Sequence, residues 1–506
     1  MKNLDADVAI IGGGFGGSLT ALICERIGLR PVLIERGTHP RFAIGESSTP
    51  IADCVLRSLA EQYDLPRLIP LTRYGSWRRT YPEVACGLKR GFSYFHHRAG
   101  EAFGPRDDHS NELVVAANPD EEHGDTHWYR ADVDHFFVRE AQAAGIPYFD
   151  RTEIETIEDG ERWRLTARRE GEAIRVSASF VVDASGPASI LGKSLGIEQG
   201  AAALKTNSRT IYAHFRGVRF WHDLYAELGG KAADHPFPCD ASALHHVFDG
   251  GWMFVLRFDN GITSAGFVLD RSSAIFGAAD ESLLPADEWA ILLRRFPSIA
   301  RQFEGARLVE PLRRTNRLQR MASRIAGPNW AMLPHTAYFL DPLYSGGNAH
   351  TLSGIERLAA ILGECRDGER GQRLADYEQA MRREVALLDS LIHGSYTGFA
   401  RFELMTTFSM LYFAAATFSE QGRRAGSNRG FLSADVSALT EAAATAYERV
   451  RTLAGSENLS PKDLSAYHRE VARLIAPYNV AGLCDPGRQN MYPFIESAPI
   501  AELATS

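Results

Sequence analysis

The sequence predicts an α/β fold with a Rossmann-type unit at its start, an inserted antiparallel sheet and a helical C-terminal region. Three observations support this prediction. The chain opens with an apolar strand that runs directly into a glycine-spaced turn and a helix. Strand-like alternation dominates from about residue 205 to 310, and helical periodicity dominates from about residue 370.

Length and composition limit the classes of protein that the chain can form. Its 506 residues suggest two or three packed units, and 45% hydrophobic with 23% charged residues is ordinary for a globular protein. The formal charge of -8 argues against a nucleic-acid partner, which needs a basic surface. No apolar run approaches the roughly 18 residues of a membrane span, and no basic segment precedes the first strand. We therefore expect a cytoplasmic protein without a membrane partner.

The cysteines indicate reduced thiols rather than a metal site. The chain has six of them, scattered along the sequence without any CxxC pair. Paired cysteines are the usual sequence signal for structural zinc. We therefore expect no bound metal.

The opening segment reads as strand, glycine turn, helix and strand. Residues 7–11 are almost continuously apolar, as a buried parallel strand requires. Helical periodicity covers residues 18–27, Gly28 ends that helix, and residues 31–35 form the second strand. The unit predicts a dinucleotide site at the carboxyl ends of its strands.

The glycine spacing of this turn fits a dinucleotide pyrophosphate. Gly12 makes the tight turn, Gly14 lets the backbone approach the phosphates, and Gly17 lets helix and strand pack closely. The phosphates would lie at the helix N-terminus, where free N–H groups favour anions. Glu35 follows 18 residues after Gly17, where a carboxylate accepts hydrogen bonds from ribose hydroxyls.

Two further segments favour FAD over NAD. The loop "RGTHPRFAIGESSTP" (36–50) is too long for a simple connection. The segment 180–197 begins with an apolar strand that ends in Asp183-Ala-Ser-Gly186, and a second turn and a helix follow. A second turn that returns to the first site is typical of FAD-binding chains. Only one dinucleotide fingerprint is present, which indicates that a separate reductase supplies reduced flavin. The alternative is direct use of NAD(P)H, as in flavin hydroxylases that lack a second fingerprint.

The chain divides into four predicted segments. Residues 1–205 form the FAD-binding segment, with a strand insert near 85–110, and residues 206–310 form an antiparallel substrate sheet. Residues 311–368 return to complete the FAD site, and residues 369–506 form a helical region that caps the substrate site. In that region, the aromatic stretch 396–418 is either plain core or part of a lid over an aromatic substrate.

With these residues in view, the chain resembles the flavin-dependent halogenases, in particular the branch that acts on phenols and other electron-rich aromatics. The likeness covers residues 1 to about 365. Besides the glycine turn, it rests on "GESSTP" (45–50), "ACGLKRGFSYFHH" (85–97), "WYRADVDHFF" (128–137) and "FLDPLYSGGNAHTLSGIERL" (339–358).

The resemblance implies a two-component chemistry. Reduced FAD from a separate reductase reacts with O2 to a flavin hydroperoxide, chloride or bromide attacks it, and hypohalous acid reaches a lysine beside the substrate. Lys89 is implied as that lysine. Independently, a lysine among apolar neighbours loses solvation, so its pKa falls and it can hold or polarise an oxidant. The alternative is a structural lysine that extends from a strand edge to solvent.

The resemblance also implies the cofactor and halide residues. A Gly-Gly turn that opens a helix offers N–H groups to a halide, although it can serve the flavin edge alone. We place this turn at Ser345, Gly346 and Gly347, with the helix starting at about His350. The predicted cofactor-binding residues are Gly12, Gly14, Phe15, Gly17, Glu35, Arg36, Gly45, Glu46, Ser47, Arg130, Asp183, Gly186, His335, Asp341, Pro342, Gly346, Gly347 and Asn348.

Three positions depart from the family pattern. Tyr344 stands where tryptophan halogenases have a glutamate, which argues against tryptophan as substrate. His335 stands where many relatives have an aspartate that holds the flavin. The family signature Trp-x-Trp-x-Ile-Pro here reads "WMFVLR", with Arg257 in place of proline.

Strand alternation places Trp252 and Phe254 on one large apolar face and Arg257 on the opposite side. We therefore expect Trp252 and Phe254 to keep the barrier between flavin and substrate, and Arg257 to point outward. His245 and His246, on a neighbouring strand-like run, either touch substrate or are structural.

The sequence thus predicts an FADH2- and O2-dependent halogenase of a phenolic or carrier-tethered aromatic. Its expected partners are a small aromatic substrate, a flavin reductase and a carrier protein for a tethered substrate. The alternative within the same fold is an FAD-dependent monooxygenase or oxidase that uses no halide. A flavin-binding protein without catalysis is the third interpretation.

Overall fold

The structure is a computed structural model that describes residues 2–276, 282–364, 368–427 and 429–495. The strands are β1 (Lys2–Ile11), β2 (Pro31–Ile34), β3 (Cys86–Lys89), β4 (Gly91–His96), β5 (Glu112–Ala116), β6 (Asp125–Trp128), β7 (Tyr148–Phe149), β8 (Thr152–Glu158), β9 (Trp163–Arg169), β10 (Glu172–Asp183), β11 (Gln199–Gly200), β12 (Ser208–Arg216), β13 (Ala243–Phe248), β14 (Gly251–Arg257), β15 (Ile262–Asp270), β16 (Arg307–Leu308), β17 (Arg313–Arg314), β18 (Arg320–Ala322), β19 (Ala326–Gly327), β20 (Trp330–Met332), β21 (Tyr338–Phe339) and β22 (Met491–Tyr492). The helices are α1 (Phe15–Arg26), α2 (Pro50–Gln62), α3 (Tyr74–Thr80), α4 (Arg130–Ala143), α5 (Ile190–Ser194), α6 (Trp221–Glu227), α7 (Pro285–Arg295), α8 (Pro297–Gln302), α9 (Pro334–Ala337), α10 (Gly346–Glu364), α11 (Arg370–Thr397), α12 (Phe402–Arg424), α13 (Ser437–Ala454) and α14 (Pro461–Ile475).

The first sheet is built on parallel strands and carries the glycine turn. Its order is β19-β20-β10-β1-β2-β7, and β8 and β9 extend it as an antiparallel hairpin beside β10. The apolar second half of β1, residues 8–11, and the whole of β2 are buried, as their continuous hydrophobic runs require. Ile11 pairs with Asp183, so the turns after β1 and β10 meet at the same edge of the sheet. This edge is where open parallel sheets bind nucleotides.

The second sheet is mostly antiparallel, in the order β16-β12-β15-β14-β13-β4-β5-β22. Strands β4, β5 and β22 come from outside the predicted substrate segment, and β22 pairs in parallel with β5. Residue alternation along β14 sends Trp252 and Phe254 into the large core shared with the first sheet. Met253 and Val255 enter a separate core under α6 and α7. Each face of this sheet therefore has its own apolar cover.

A two-stranded ribbon, β3 with β6, packs against α3 and against β14 of the second sheet. Helix α2 packs against both α10 and α12, and α11 packs against α12 and α13. Among the described residues, no helix is long and apolar enough to cross a membrane.

Two helices begin earlier than the sequence predicted. Helix α1 begins at Phe15 rather than at residue 18, and α10 begins at Gly346 rather than near His350. In both cases glycines fill the first turn, and their low helix propensity hid the start from a periodicity argument. The four-segment division of the chain remains a prediction, and residues 496–506 of its last segment lie outside the described residues.

Candidate active site

The three glycines of the first turn differ in what they do. Gly12 has a φ of +109°, and a Cβ there would lie 2.4 Å from the carbonyl oxygen of Ala184. A Cβ on Gly17 would lie 1.9 Å from the carbonyl oxygen of Gly12. Gly14, at the N-cap of α1, has an ordinary φ of -70°, and a Cβ there would meet nothing closer than 3.5 Å. Gly12 and Gly17 are therefore required by the fold, whereas Gly14 leaves space beside the helix N-terminus.

Glu35 closes this turn from the end of β2. Its carboxylate accepts hydrogen bonds from the N–H groups of Gly13 at 2.8 Å and Gly37 at 2.7 Å. Burial alone raises the pKa of Glu35, but Arg41 and the two backbone donors lower it further than burial raises it. The predicted contact Arg36 is exposed, whereas Arg41 lies 3.4 Å from the Glu35 carboxylate. Arg41 is a cofactor candidate that the sequence argument missed.

A second cation lies at the start of α1. The guanidinium of Arg130 stands 4.8 Å from the ring centre of Phe15 and donates to a carbonyl oxygen of Gly45 at 3.1 Å. Its Nε is 2.9 Å from Asp134, which also accepts the N–H of Phe15 at 3.1 Å. Helix α4 and the loop at Gly45 are thus both anchored where phosphates would bind.

The GESSTP loop links the nucleotide turn to Lys89. Ser47 forms a β-bridge with His127 of β6, and the Ser48 carbonyl accepts a hydrogen bond from Lys89 Nζ. The Glu46 carboxylate is 2.8 Å from His214 Nε2 of β12. The loop therefore contacts helix α4, the ribbon and the second sheet.

Several buried polar atoms in the predicted flavin residues have no partner within the part of the chain that the structure describes. They are Glu46 Oε2, Ser47 Oγ, His335 Nδ1 and Asn348 Nδ2. Buried polar groups are almost always satisfied, so unpaired atoms in one set of predicted contacts indicate a polar ligand. Together with the open position beside Gly14, these atoms fit FAD.

Asp183 and Gly186 make hydrogen bonds that stabilise the turn after β10. Asp183 accepts from the Ser185 hydroxyl and from the Leu191 N–H, so its carboxylate stabilises its own turn. The N–H of Gly186 donates to Thr336, next to His335.

Asp341 begins the Asp-Pro turn and ties it to the second sheet. Its carboxylate accepts from Ser208 and Tyr396, each at 2.7 Å, and Tyr396 in turn accepts the indole N–H of Trp252 at 2.9 Å. Burial raises the pKa of Asp341 to about 6. Pro342 follows at the first position of a short 3-10 turn, Pro342–Tyr344. The turn beside the flavin and the predicted barrier residue Trp252 thus form one hydrogen-bonded unit.

The predicted halide turn lies at the N-terminus of a long helix. Ser345 has a φ of +53°, which reverses the chain before α10 begins at Gly346. The first N–H groups of a helix have no intrahelical acceptor, and here they belong to Gly346, Gly347 and Asn348. A Cβ on Gly347 would meet nothing within 4 Å, so this turn is open toward a ligand.

Lys89, at the end of β3, is completely buried. Its Nζ donates to the Ser48 carbonyl at 2.5 Å and lies 4.2 Å from the ring centre of Phe92. Burial lowers the pKa of Lys89 to about 8, against the opposing effects of Asp125 and Asp53. A lysine that extends to solvent is therefore excluded, and Lys89 is the buried cation that the functional interpretation requires.

Two carboxyl groups that the sequence argument missed lie beside Lys89. Asp125 of β6 is the cross-strand partner of Lys89, and Asp53 of α2 accepts from the Ser48 hydroxyl at 3.0 Å. Burial raises the pKa of both groups, and the negative charge of Asp125 raises that of Asp53 further. Burial therefore favours the protonated form of Asp53, and both carboxyl groups oppose the loss of charge on Lys89.

Aromatic side chains from two parts of the chain surround the Lys89 region. Phe92 packs edge-on against Phe413 of α12, and Tyr344 stacks on Tyr412 at a ring distance of 4.0 Å. The aromatic stretch of 396–418 therefore packs against Phe92, next to Lys89, as well as filling the core. An apolar, aromatic wall suits an aromatic substrate.

The two histidines of β13 separate by alternation. His245 stacks on Tyr94 at 4.4 Å, on the side of Lys89, whereas His246 bonds to His97 and Gln302 on the other face. Burial lowers the pKa of each to about 3. Both are therefore neutral, and only His245 lies on the substrate side.

The altered signature strand keeps a large apolar face. Trp252 and Phe254 are buried in the main core with ring centres 6.1 Å apart. Arg257 points to the opposite face, as alternation predicted, but it does not extend into solvent. Its Nε is 2.7 Å from Asp240, and its guanidinium lies 4.0 Å from the ring centre of Phe220. Arg257 is thus a partly buried ion-pair residue on the side away from Lys89.

Comparison with known proteins agrees with this geometry. The family profile described as FAD dependent oxidoreductase matches residues 7–313. Monodechloroaminopyrrolnitrin halogenase PrnC of Pseudomonas fluorescens is 30% identical over 415 residues, 80% of this chain and 70% of that protein. The tetracycline 7-halogenase of Kitasatospora aureofaciens is 31% identical over 422 residues, 81% and 73% of the two chains. The halogenase PltM, in a crystal structure with phloroglucinol and FAD, has a TM-score of 0.86 at 23% identity, covering 96% of this chain and 99% of PltM.

The glycine turn, the parallel sheet and the family profile together define an FAD-dependent oxidoreductase. Within that class, the chain belongs to the flavin-dependent halogenases, as its two bacterial relatives show. The predicted fold class and the predicted family are confirmed, and FAD is the cofactor of the class. The roles of individual site residues remain predictions.

Proposed function

We propose that this protein halogenates electron-rich aromatic substrates, with Lys89 presenting hypohalous acid to the ring that is attacked. The observation that carries the proposal is the position of Lys89. It is a completely buried cation that touches the GESSTP loop on one side and an aromatic wall on the other.

In this proposal the residues act on two sides of the barrier formed by Trp252 and Phe254, namely the flavin side and the Lys89 side. When bound, reduced FAD supplies, with O2, the oxidising equivalent that converts halide to hypohalous acid. The N–H groups of Gly346 and Gly347 hold the halide on the flavin side. Trp252, fixed through Tyr396 to the Asp-Pro turn, and Phe254 keep the substrate away from the flavin.

Lys89 acts on the other side of this barrier as a hydrogen-bond donor. Its ammonium already donates to a carbonyl and faces an aromatic ring, two contacts that favour the charged form. Donation to the oxygen of hypohalous acid makes the halogen more electrophilic and holds it at the ring. Water is excluded because the surrounding wall is aromatic.

The substrate is an aromatic with electron-donating groups, of the phenol class. PltM, which shares the fold, binds phloroglucinol, a polyphenol. Another relative is a chlorinase of a pyrrole carried on a peptidyl carrier protein, 23% identical over 355 residues. We propose a free phenolic substrate, with a carrier-bound aromatic as the second candidate, and a separate reductase as the source of reduced FAD.

The test is turnover of a phenol panel with a generic flavin reductase, with and without bromide, read by product mass. We expect Lys89→Ala to consume O2 and reduced FAD at the wild-type rate while halogenated product falls about 10²–10⁴-fold or more. The matched control is Lys193→Ala, a lysine of α5 on the first sheet. Hydroxylated product without halide dependence in the wild-type protein would instead establish the monooxygenase alternative.

A further inference from the structure

A second cluster of reactive side chains lies on the face of the second sheet away from Lys89. His222 is in the first turn of α6, His235 lies in the loop that follows, and Cys239 precedes β13. One nitrogen or sulfur atom of each residue lies within 4.8 Å of those of the other two. Cys239 and the His235 side chain are completely buried, and His222 is partly buried.

The imidazole nitrogens of this cluster point to a cation. His235 Nε2 lies 3.3 Å from the carboxylate of Glu112, which only accepts, so Nε2 donates its N–H there and Nδ1 is the nitrogen left for a ligand. Nδ1 of His235 and Nδ1 of His222 are both buried without a partner among the described residues. A carboxylate that fixes the outer nitrogen of a histidine is the arrangement found behind metal-bound histidines.

Glu112 is itself firmly held. It is completely buried, accepts from the hydroxyl of Tyr225 at 2.8 Å and contacts His109. These contacts, together with His235 Nε2 at 3.3 Å, hold the Glu112 carboxylate against His235 and fix the orientation of the His235 ring.

We propose that His222, His235 and Cys239 bind one Zn²⁺ ion, with the fourth position facing Asp240. Two imidazoles and a thiolate are ligands that Zn²⁺ prefers, and binding releases the thiol proton of Cys239 without any redox change. Tetrahedral coordination needs ligand atoms about 3.4–3.6 Å apart, so the cluster closes by at most about 1.4 Å. Asp240 Oδ2 lies 3.9 Å from the Cys239 sulfur, at the border of the site.

The ion would position the strand that carries Lys89. The segment 239–242 is closed by one internal hydrogen bond and makes two contacts toward the ribbon that carries Lys89. The Cys239 carbonyl accepts from Ser242 at 2.6 Å, the Ala241 carbonyl accepts from the N–H of Arg90 at 2.7 Å, and the Ser242 carbonyl accepts from His127 at 3.1 Å. A metal that fixes Cys239 therefore fixes the backbone next to Lys89. The sequence pattern did not indicate this site, because the three residues lie 13 and 4 positions apart and include only one cysteine, so they form no CxxC pair.

The test measures metal in protein purified without a metal-affinity tag and passed over a chelating column. We expect about one zinc per chain in the wild type and in Cys24→Ala, which removes a buried thiol of α1. We expect Cys239→Ser and His235→Asn to retain less than about a tenth of that zinc while keeping their FAD content. Cobalt exchanged into the wild type should give a thiolate charge-transfer band that Cys239→Ser lacks.

Two outcomes would overturn the proposal. One is wild-type protein that holds no zinc after refolding with it and shows no thiolate band with cobalt. The other is equal metal retention by the wild type and both variants. If Cys239→Ser does not fold, the zinc content and cobalt spectrum of the wild type decide the question alone.

Discussion

At the scale of single residues, the protonation of Lys89 is the property on which the proposed chemistry depends most directly. Desolvation lowers the pKa of Lys89, and the neighbouring Asp125 and Asp53 raise it again in part. The negative charge of Asp125 raises the pKa of Asp53, so loss of Asp125 alone would let Asp53 ionise in its place. Both must be changed to remove the negative charge.

This arrangement predicts an alkaline limit on halogenation. The pKa of Lys89 is about 8, so the charged fraction falls as pH rises through 8, and we expect halogenated product per reduced FAD consumed to fall with it. Without a negative neighbour, the pKa of Lys89 is lower still. The double variant Asp53→Asn/Asp125→Asn is therefore expected to move this limit to lower pH by about one unit or more. The measurement is a pH profile of product yield for both proteins.

The control for this profile is Asp120→Asn, an exposed carboxylate beside His123, which we expect to leave the limit unchanged. Titration of hypohalous acid itself would be the same in all three proteins, so only a shift between variants reports on Lys89. A yield that rises with pH would contradict the prediction. It would mean that the neutral amine, acting as a nucleophile, is the active form.

At the scale of elements, the two faces of strand β14 make different contacts and have different expected roles. The face that carries Phe254 packs into the main core, on the predicted flavin side. Arg257, on the opposite face, forms an ion pair with Asp240. Asp240 also accepts the N–H groups of Trp221 and His222, so Arg257 completes the anchorage of α6.

The two faces predict different consequences of mutation. Arg257→Ala removes a charge-assisted hydrogen bond that is largely buried, so we expect a loss of about 2 kcal/mol in the free energy of unfolding. The ratio of halogenated to hydroxylated product is expected to stay that of the wild type. Phe254→Ala is expected to change that ratio toward hydroxylation, because it opens the barrier. Thermal unfolding and product mass measure the two effects.

Arg216→Ala, which removes an exposed cation of β12, is the matched control for Arg257. Phe254→Leu, which keeps an apolar side chain, is the second variant to be measured if Phe254→Ala does not fold. An altered product ratio in Arg257→Ala would refute this division of tasks. It would show that the departure from the family signature takes part in the reaction.

The same elements show how far sequence reasoning reaches. The glycine turn and the alternation of β14 were predictable because both depend on residues close together in the chain. Asp125 was not, because its contact with Lys89 depends on the pairing of β3 with β6 across 35 intervening residues. Arg41 escaped because the chain between β2 and α2 folds back on Glu35, which no local pattern reveals.

At the scale of the whole molecule, FAD binding is expected to join the first sheet to helix α10. The predicted cofactor contacts are spread from the end of β1 to the start of α10, so the ligand would bridge elements that are far apart in the sequence. A ligand that binds only the folded state raises its unfolding temperature according to its concentration and affinity. The unfolding temperature therefore reports cofactor binding in a way that activity does not.

The glycines of the first turn allow binding and folding to be tested separately. Gly14→Val places its side chain where nothing of the protein lies within 3.5 Å of the added Cβ, at an ordinary backbone angle. We therefore expect the variant without FAD to unfold within a few degrees of the wild type, but to show no increase on addition of FAD. In contrast, Gly12→Ala would put a Cβ 2.4 Å from the Ala184 carbonyl at a φ of +109°, so we expect a lower unfolding temperature even without FAD. Differential scanning calorimetry with and without FAD measures both effects. A stabilisation of Gly14→Val by FAD equal to that of the wild type would contradict the assignment of the pyrophosphate to this helix N-terminus.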